Sequence, residues 1–180
     1  MRKLYVGIDT AKVMGLAWYD RVRHEATVVE VTGTPIEQFV SLEMIELQED
    51  DIVTFGFERL HVFVNAATIR NMSERLGFLK WALITSGHTP KEVGPGEARA
   101  LWSVKGKANA PTLLDPFAKQ ATLTTNHADA LLVALFLAHR DDPTLVLYGL
   151  KITVLEGIDY ERLQRIAARE VRRAIRHTKK

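Results

Sequence analysis

The sequence predicts an α/β domain built around a mixed β-sheet, and three observations carry that expectation. Three short segments rich in valine, threonine and aromatic residues precede the first helical pattern. Strand and helix patterns then alternate, and one late helix is apolar almost throughout. Taken in order, residues 3–9 (Lys-Leu-Tyr-Val-Gly-Ile-Asp) read as a buried strand, Met14 to Tyr19 as a second and Glu25 to Thr32 as a third, which together suit an antiparallel meander. Pro35 opens a helical pattern running to about Leu47, where a first-turn proline is tolerated. Residues 51–58 form a fourth strand that ends on an acid, Glu58. Val64, Ala67, Met72, Leu76, Leu79 and Leu83 recur at helical spacing, so Val64 to Ser86 is expected as a long amphipathic helix stopped by Gly87.

Thr89 to Val93 reads as a fifth strand, Glu97 to Trp102 as a short helix, and the stretch with Gly106 and Pro111 as a loop. Asn126 to His139 is expected as a core helix, and Leu145 to Leu155 as extended chain. Asp159 is placed to cap a basic final helix. The expectation is thus five strands flanked by helices, with residues 1–158 as one domain and 159–180 as a basic helix belonging to it or appended to it.

Composition narrows the chemistry. At 180 residues, 47% hydrophobic and 26% charged, the chain can bury a core without crosslinks. It has no cysteine, which removes disulfides and thiolate metal sites, so any metal must be held by carboxylates, imidazoles or amides. The apolar run after Met1-Arg2-Lys3 is interrupted by Asp9 and is too short for a signal peptide or membrane span, so a cytoplasmic protein is expected. Residues 161–180 carry eight Lys or Arg against Glu161 and Glu170, a local charge of +6 that leaves about −4 for the rest of a chain whose net charge is +2. A basic tail on a near-neutral body suits a polyanion; a solvated helix face is the plain alternative.

Three acids stand where acids are costly. Asp9 ends a buried strand, Glu58 ends another, and Asp129 lies in the first turn of a helix that is otherwise apolar. Singly, each has an ordinary explanation: Asp9 capping a turn, Glu58 pairing with Arg59 or Arg70, Asp129 favoured by a helix N-terminus. Together they are expected to converge, since the first and fourth strands should be neighbours and the late helix can cross their ends. Carboxylates that close cannot all ionise without compensating cations, and only bound divalent cations are expected to make the cluster tolerable. Hard oxygen donors favour Mg²⁺ or Mn²⁺, and two such ions about 4 Å apart are an arrangement for phosphodiester hydrolysis.

At this point the sequence resembles a known family. Gly7-Ile8-Asp9 followed by Gly15-Leu16-Ala17 looks like the opening hairpin of RuvC-type Holliday junction resolvases, within the ribonuclease H and retroviral-integrase superfamily. Glu58, Asn65 and a helix reaching Gly77 resemble the next block. Val93-Gly94-Pro95-Gly96-Glu97-Ala98-Arg99 with Gly106-Lys107-Ala108 is similar to the Pro-x-x-x-Lys and Gly-x-Ala block, and His127-Ala128-Asp129-Ala130-Leu131 to the closing Asp-Ala-Leu helix. The likeness runs from residue 3 to about residue 140. It implies a ribonuclease H-like fold, a homodimer gripping branched DNA, and two Mg²⁺ ions per site, with Mn²⁺ able to substitute. It also implies symmetric nicks leaving 5′-phosphate ends, with catalysis and metal binding by Asp9, Glu58, Asp129 and Asn126.

The chain departs from that pattern at identifiable positions. The family's fourth ligand, an Asp or His three residues before the helix aspartate, is Asn126 here. Three readings stay open: a weaker natural ligand, His127 taking over from an irregular first turn, or an inactivating Asp→Asn exchange; simple helix capping by Asn126 is the structural alternative. Where the family places an aromatic three residues after the glutamate, this chain has His61, with Phe63 two further on. Either can stack on an unpaired base, and Phe63 can equally belong to the core. Arg99, Lys105 and Lys107 are expected phosphate contacts, with Arg169, Arg172 and Arg173 of the final helix as further DNA contacts. The Val64–Ser86 helix is the expected dimer surface. Other functions stay in play: a non-cleaving nucleic-acid-binding module, and an RNA-processing nuclease of the same fold. A sugar-kinase-like nucleotide binder needs a second lobe that 180 residues do not provide.

Overall fold

The computed structural model describes residues 2–59, 66–94, 96–118, 121–160, 162 and 164–165. Strands β1 (Lys3–Asp9), β2 (Val13–Asp20) and β3 (Glu25–Thr32) form the antiparallel meander, and β4 (Ile52–Glu58) lies parallel to β1. Helix α1 (Pro35–Val40) joins β3 towards β4, α2 (Ala66–Thr85) follows β4, and β5 (Lys91–Val93) pairs in parallel with β4. Then come α3 (Glu97–Leu101), α4 (Ala110–Leu114) and α5 (Thr125–Asp141), and finally the short strands β6 (Lys151–Val154) and β7 (Ile158–Asp159), both parallel to β3. The sheet order is β5-β4-β1-β2-β3-β6, with β7 also on β3. All five expected strands are present; the two added ones come from the segment read as extended chain and the residues just after it.

The period-two alternation of strands sorts each side chain to one of two layers. Leu4, Val6, Ile8, Leu16, Val29, Val31, Phe55 and Phe57 meet Leu76, Leu79 and Leu83 of α2 on one face. Tyr5, Ala17, Tyr19 and Val28 meet Leu131, Leu132, Val133 and Leu135 of α5 on the other. Gly7, Gly15 and Gly56 fall on the α5 side, and there the helix lies almost against the sheet backbone. A Cβ on Gly7 would stand 2.0 Å from the Ala130 carbonyl oxygen, and one on Gly15 2.1 Å from that of Asn126. Among the described residues no helix is long and apolar enough to cross a membrane.

Several expected boundaries move. The helix from Pro35 does not reach Leu47: it ends at Val40 and tightens into a 3₁₀ turn over Ser41–Met44. The apolar pattern of this segment also departs from its burial, since Ile36 and Val40 face solvent while the polar Gln38 is fully buried. The stretch with Gly106 and Pro111 is not loop. A 3₁₀ turn at Lys107–Asn109 runs into α4, where Pro111 occupies a first-turn position and Ala110 and Leu114, four apart, bury one face. Residues 145–150 join no strand: 147 is a bend and 148–149 a turn, with Gly149 at φ 81°, and within 145–155 only 151–154 form a strand of the sheet. The final helix is described only at its beginning, where Asp159 Oδ1 accepts the Arg162 backbone N–H at 3.0 Å, the expected cap contact.

Candidate active site

The acids at the ends of β1 and β4 owe their meeting to strand register. Ile8 pairs with Phe57 in the parallel β1–β4 ladder, so Asp9 and Glu58 follow side by side, both on the α5 face. Helix α5 supplies the third. It starts at Thr125 behind an N-cap at Thr124, so Asp129 lies a full turn inside the helix rather than in its first turn. The close seat of α5 on Gly7 and Gly15 brings it down onto the strand ends. Asp9 is 6% exposed and Asp129 2%, so both carboxylates are withdrawn from water.

Two cations from the middle block lock the three acids together. Arg99, on α3, donates to Asp129 Oδ1 at 2.7 Å and to Glu58 Oε1 at 3.0 Å. Lys107 Nζ donates to Asp9 Oδ2 at 3.0 Å and stands 2.9 Å from Asp129 Oδ2, an ion pair outside hydrogen-bond geometry. The Gly96 N–H adds a 3.2 Å bond to Glu58 Oε1. Two of the three middle-block residues expected to contact phosphates therefore sit on the carboxylates, and the expectation that only divalent cations make this cluster tolerable is corrected: two basic side chains also do so. Lys105, which is also exposed, is not among these contacts. Glu58 pairs with neither Arg59, which meets Glu92, nor Arg70, which meets Glu74.

Burial pushes the Asp9 carboxyl above its ordinary value, with Asp129 and Glu58 adding to the effect and Lys107 opposing it. Desolvation works against the charges of Arg99 and Lys107, yet the surrounding carboxylates win and hold both above their ordinary values. The cluster is thus a charge-paired network around two buried carboxylates, open to solvent on the Lys107 side.

Around this centre the remaining expected residues divide. Thr124 caps the helix, so Asn126 does not; its Nδ2 donates to Glu30 Oε1 at 3.0 Å. His127 lies in a regular first turn, its Nδ1 accepting the Thr124 N–H at 3.3 Å, and burial lowers its affinity for a proton despite Glu30 nearby. Its Nε2 is buried with no hydrogen-bond partner among the described residues. His61 and Phe63, and Arg169, Arg172 and Arg173, lie outside the described residues.

Two supports escaped the sequence reading. Gln38, fully buried on α1, donates to the carbonyls of Ala11, Lys12 and Val31 and accepts from Arg75 at 3.1 Å, which holds the turn that follows Asp9. Glu30 gathers Thr124 and Asn126 at the start of α5. A lone Gln on an otherwise apolar helix face, and a Glu among valines, were the available signals.

The groups able to hold a hard cation are the carboxylates of Asp9, Glu58 and Asp129. Among the described residues no three acidic or histidine side chains form an open cage, because Arg99 and Lys107 stand between them. The donor set nevertheless fits such an ion. It offers hard oxygens without thiolate, Asp129 Oδ2 is buried without a hydrogen bond, and the Lys107 ammonium bridging Asp9 and Asp129 stands in for a cation. The Lys107 side chain is 47% exposed, so it can swing out, whereas that of Arg99 is 14% exposed and set in place.

No family model matches the sequence, and no curated relative matches it. Solved structures do. Thermus thermophilus RuvC in complex with a Holliday junction substrate aligns with a TM-score of 0.60 at 15% identity, covering 79% of this chain and 96% of that one. A second Thermus thermophilus RuvC structure gives 0.57 at 15% identity, covering 78% and 97%. At such identity the likeness carries the architecture, and the chain has the RuvC, ribonuclease H-like fold.

Proposed function

We propose that this chain, folded like RuvC, is a divalent-metal-dependent endonuclease of branched DNA that resolves four-way junctions. The observation that carries the proposal is the convergence of Asp9, Glu58 and Asp129, distant in sequence, on one cation-filled cluster. A structural salt-bridge network needs no acid at the end of each of two adjacent strands, where three carboxylates share two basic groups and remain one charge short of neutral.

In this reading Asp9, Glu58 and Asp129 hold the metal, and Asn126 and His127 border it. Two Mg²⁺ ions, or Mn²⁺ in their place, would supply an activated water and charge at the leaving oxygen of the phosphodiester, giving 5′-phosphate ends. The rest falls to the protein. Arg99 keeps Glu58 and Asp129 aimed at a common centre through its two-pronged contact. Lys107 leaves the carboxylates and, with exposed Lys105, meets the DNA backbone, whose charge compensates the ammonium in turn. A symmetric pair of cuts needs two such sites. Trp81 at 61% and Ile84 at 59% exposure on α2 favour that helix as the dimer surface.

The direct test incubates the full chain with a synthetic four-way junction and excess Mg²⁺. Paired nicks at symmetric positions, sealed by ligase, are expected; tight junction binding without nicking in either Mg²⁺ or Mn²⁺ sinks the nuclease reading. That outcome would favour a binding module, a reading that rests on one observation: Arg99 and Lys107 already fill the carboxylate cluster.

Lys107→Met probes the exchange of ammonium for metal. Without metal the variant is expected to lose about 1–2 kcal/mol of stability, below the ~3–5 kcal/mol for breaking a fully buried pair because Lys107 is half-exposed. Mg²⁺ should restore the loss, and the salt dependence of junction binding should weaken by about one charge. Melting curves with and without Mg²⁺ check the first part. A loss that Mg²⁺ leaves unchanged would count against carboxylates that accept either cation.

A further inference from the structure

Position 126 is neutral where a fourth acid is expected, yet a carboxylate lies beside it. In the β1–β2–β3 ladder Asp9 pairs with Gly15, and Gly15 pairs with Glu30, so the three form one row across the sheet. Asn126 sits directly on the middle of that row. Its carbonyl oxygen is 2.1 Å, and its Cβ 3.2 Å, from where a Cβ on Gly15 would stand. Asn126 is therefore flanked by Asp9 on the β1 side and Glu30 on the β3 side.

The hydrogen bond to Glu30 decides which way the amide faces. An ionised carboxylate only accepts, so the NH₂ must point at Glu30, as its 3.0 Å contact shows. The two polar atoms of an amide lie on either side of the Cβ–Cγ axis, so with Nδ2 on Glu30 the Oδ1 atom does not face that carboxylate. Among the described residues nothing donates a hydrogen bond to Oδ1. Glu30 is itself held, accepting from Thr124 Oγ1 at 2.7 Å. Asn126 and Asp129, three apart on α5, share a helical face.

We propose that Glu30 is a positioning residue that fixes the Asn126 amide with Oδ1 presented beside Asp9 and Asp129, so that Glu30 and Asn126 together replace a fourth carboxylate at the metal site. The oxygen comes from Asn126 and the negative charge from Glu30, which polarises the amide through its NH₂. The proposal rests on the metal-dependent reading above. It differs from a mere staple of α5 onto β3, because a staple needs the two hydrogen bonds but not the orientation of Oδ1.

The test measures Mn²⁺ affinity of the full chain without DNA by electron paramagnetic resonance, alongside melting temperature in EDTA. Glu30→Ala is expected to weaken Mn²⁺ binding by about tenfold or more, in the range typical of groups that orient a metal ligand. Glu30→Gln, which keeps an acceptor and loses the charge, should fall between it and the parent chain while melting in EDTA close to the parent. In an Asn126→Asp background the effect should reverse: Glu30 would then oppose a carboxylate, and Glu30→Ala should tighten Mn²⁺. Asp9→Asn is the control for the site itself. If Asp9→Asn abolishes Mn²⁺ binding while both Glu30 variants bind as the parent does, the positioning role is overturned and the metal site stands. If the parent chain shows no Asp9-dependent Mn²⁺ binding, the metal reading falls and this proposal with it. A loss in Glu30→Ala of the same size in both backgrounds would mark Glu30 as a staple.

Discussion

Asp9→Asn is expected to cut Mg²⁺-dependent junction cleavage by about a thousandfold or more, as loss of a central catalytic group does elsewhere, while leaving junction binding intact. The substitution preserves shape and hydrogen-bonding capacity and removes only charge. Asp9 lies 6% exposed at the end of β1, so its carboxylate is withdrawn from solvent. Stability should move the other way. Burial and the adjacent Asp129 and Glu58 push the Asp9 carboxyl above its ordinary value, which means that the charged form is disfavoured in the folded protein. A neutral asparagine removes that cost, and Lys107 retains Asp129 as a partner. The expected signature is therefore an inactive protein that melts in EDTA no lower than its parent. Cleavage within tenfold of the parent would remove Asp9 from the machinery.

Gly7→Ala is expected to be among the most destabilising single changes, at about 3 kcal/mol or more, with loss of activity as a consequence. The added methyl would stand 2.0 Å from the Ala130 oxygen and 2.6 Å from the Ala134 nitrogen, both backbone atoms that no rotamer change can move. Helix α5 must lift from the sheet, and Asp129 travels with it away from Asp9. Gly77→Ala supplies the contrast. That glycine lies within α2 with nothing near its missing Cβ, so alanine there should raise stability by about 0.5–1 kcal/mol. Urea unfolding of the two variants compares the same chemical change in opposite settings; a Gly7→Ala protein as stable as the parent would contradict the close seat of α5.

The convergence of the three acids was legible in large part because each of them violates a local rule. Asp9 and Glu58 end apolar strands, and Asp129 interrupts an apolar helix. What local rules could not show was how those charges are balanced. Arg99 comes from α3 and Lys107 from the turn before α4, residues expected on DNA phosphates because of their charge and the block they resemble. Glu30 drew no role from its own strand, and its link to Asn126 spans ninety-six positions. Gln38 was likewise hidden: its partners are carbonyls of a turn that precedes it by two strands.

By itself the sequence determined the strands, the long α2, the buried α5 and the identity of the acids. Those follow from side-chain periodicity and from the cost of burying a charge, both properties of short windows of chain. Only the tertiary structure decided that β6 and β7 extend the β3 edge, that α5 rests on Gly7 and Gly15, and that Arg99 and Lys107 occupy the carboxylates. These are pairings between distant segments, selected by which surfaces remain free once the core has closed and by which charges can compensate one another there, and no short stretch of sequence encodes them.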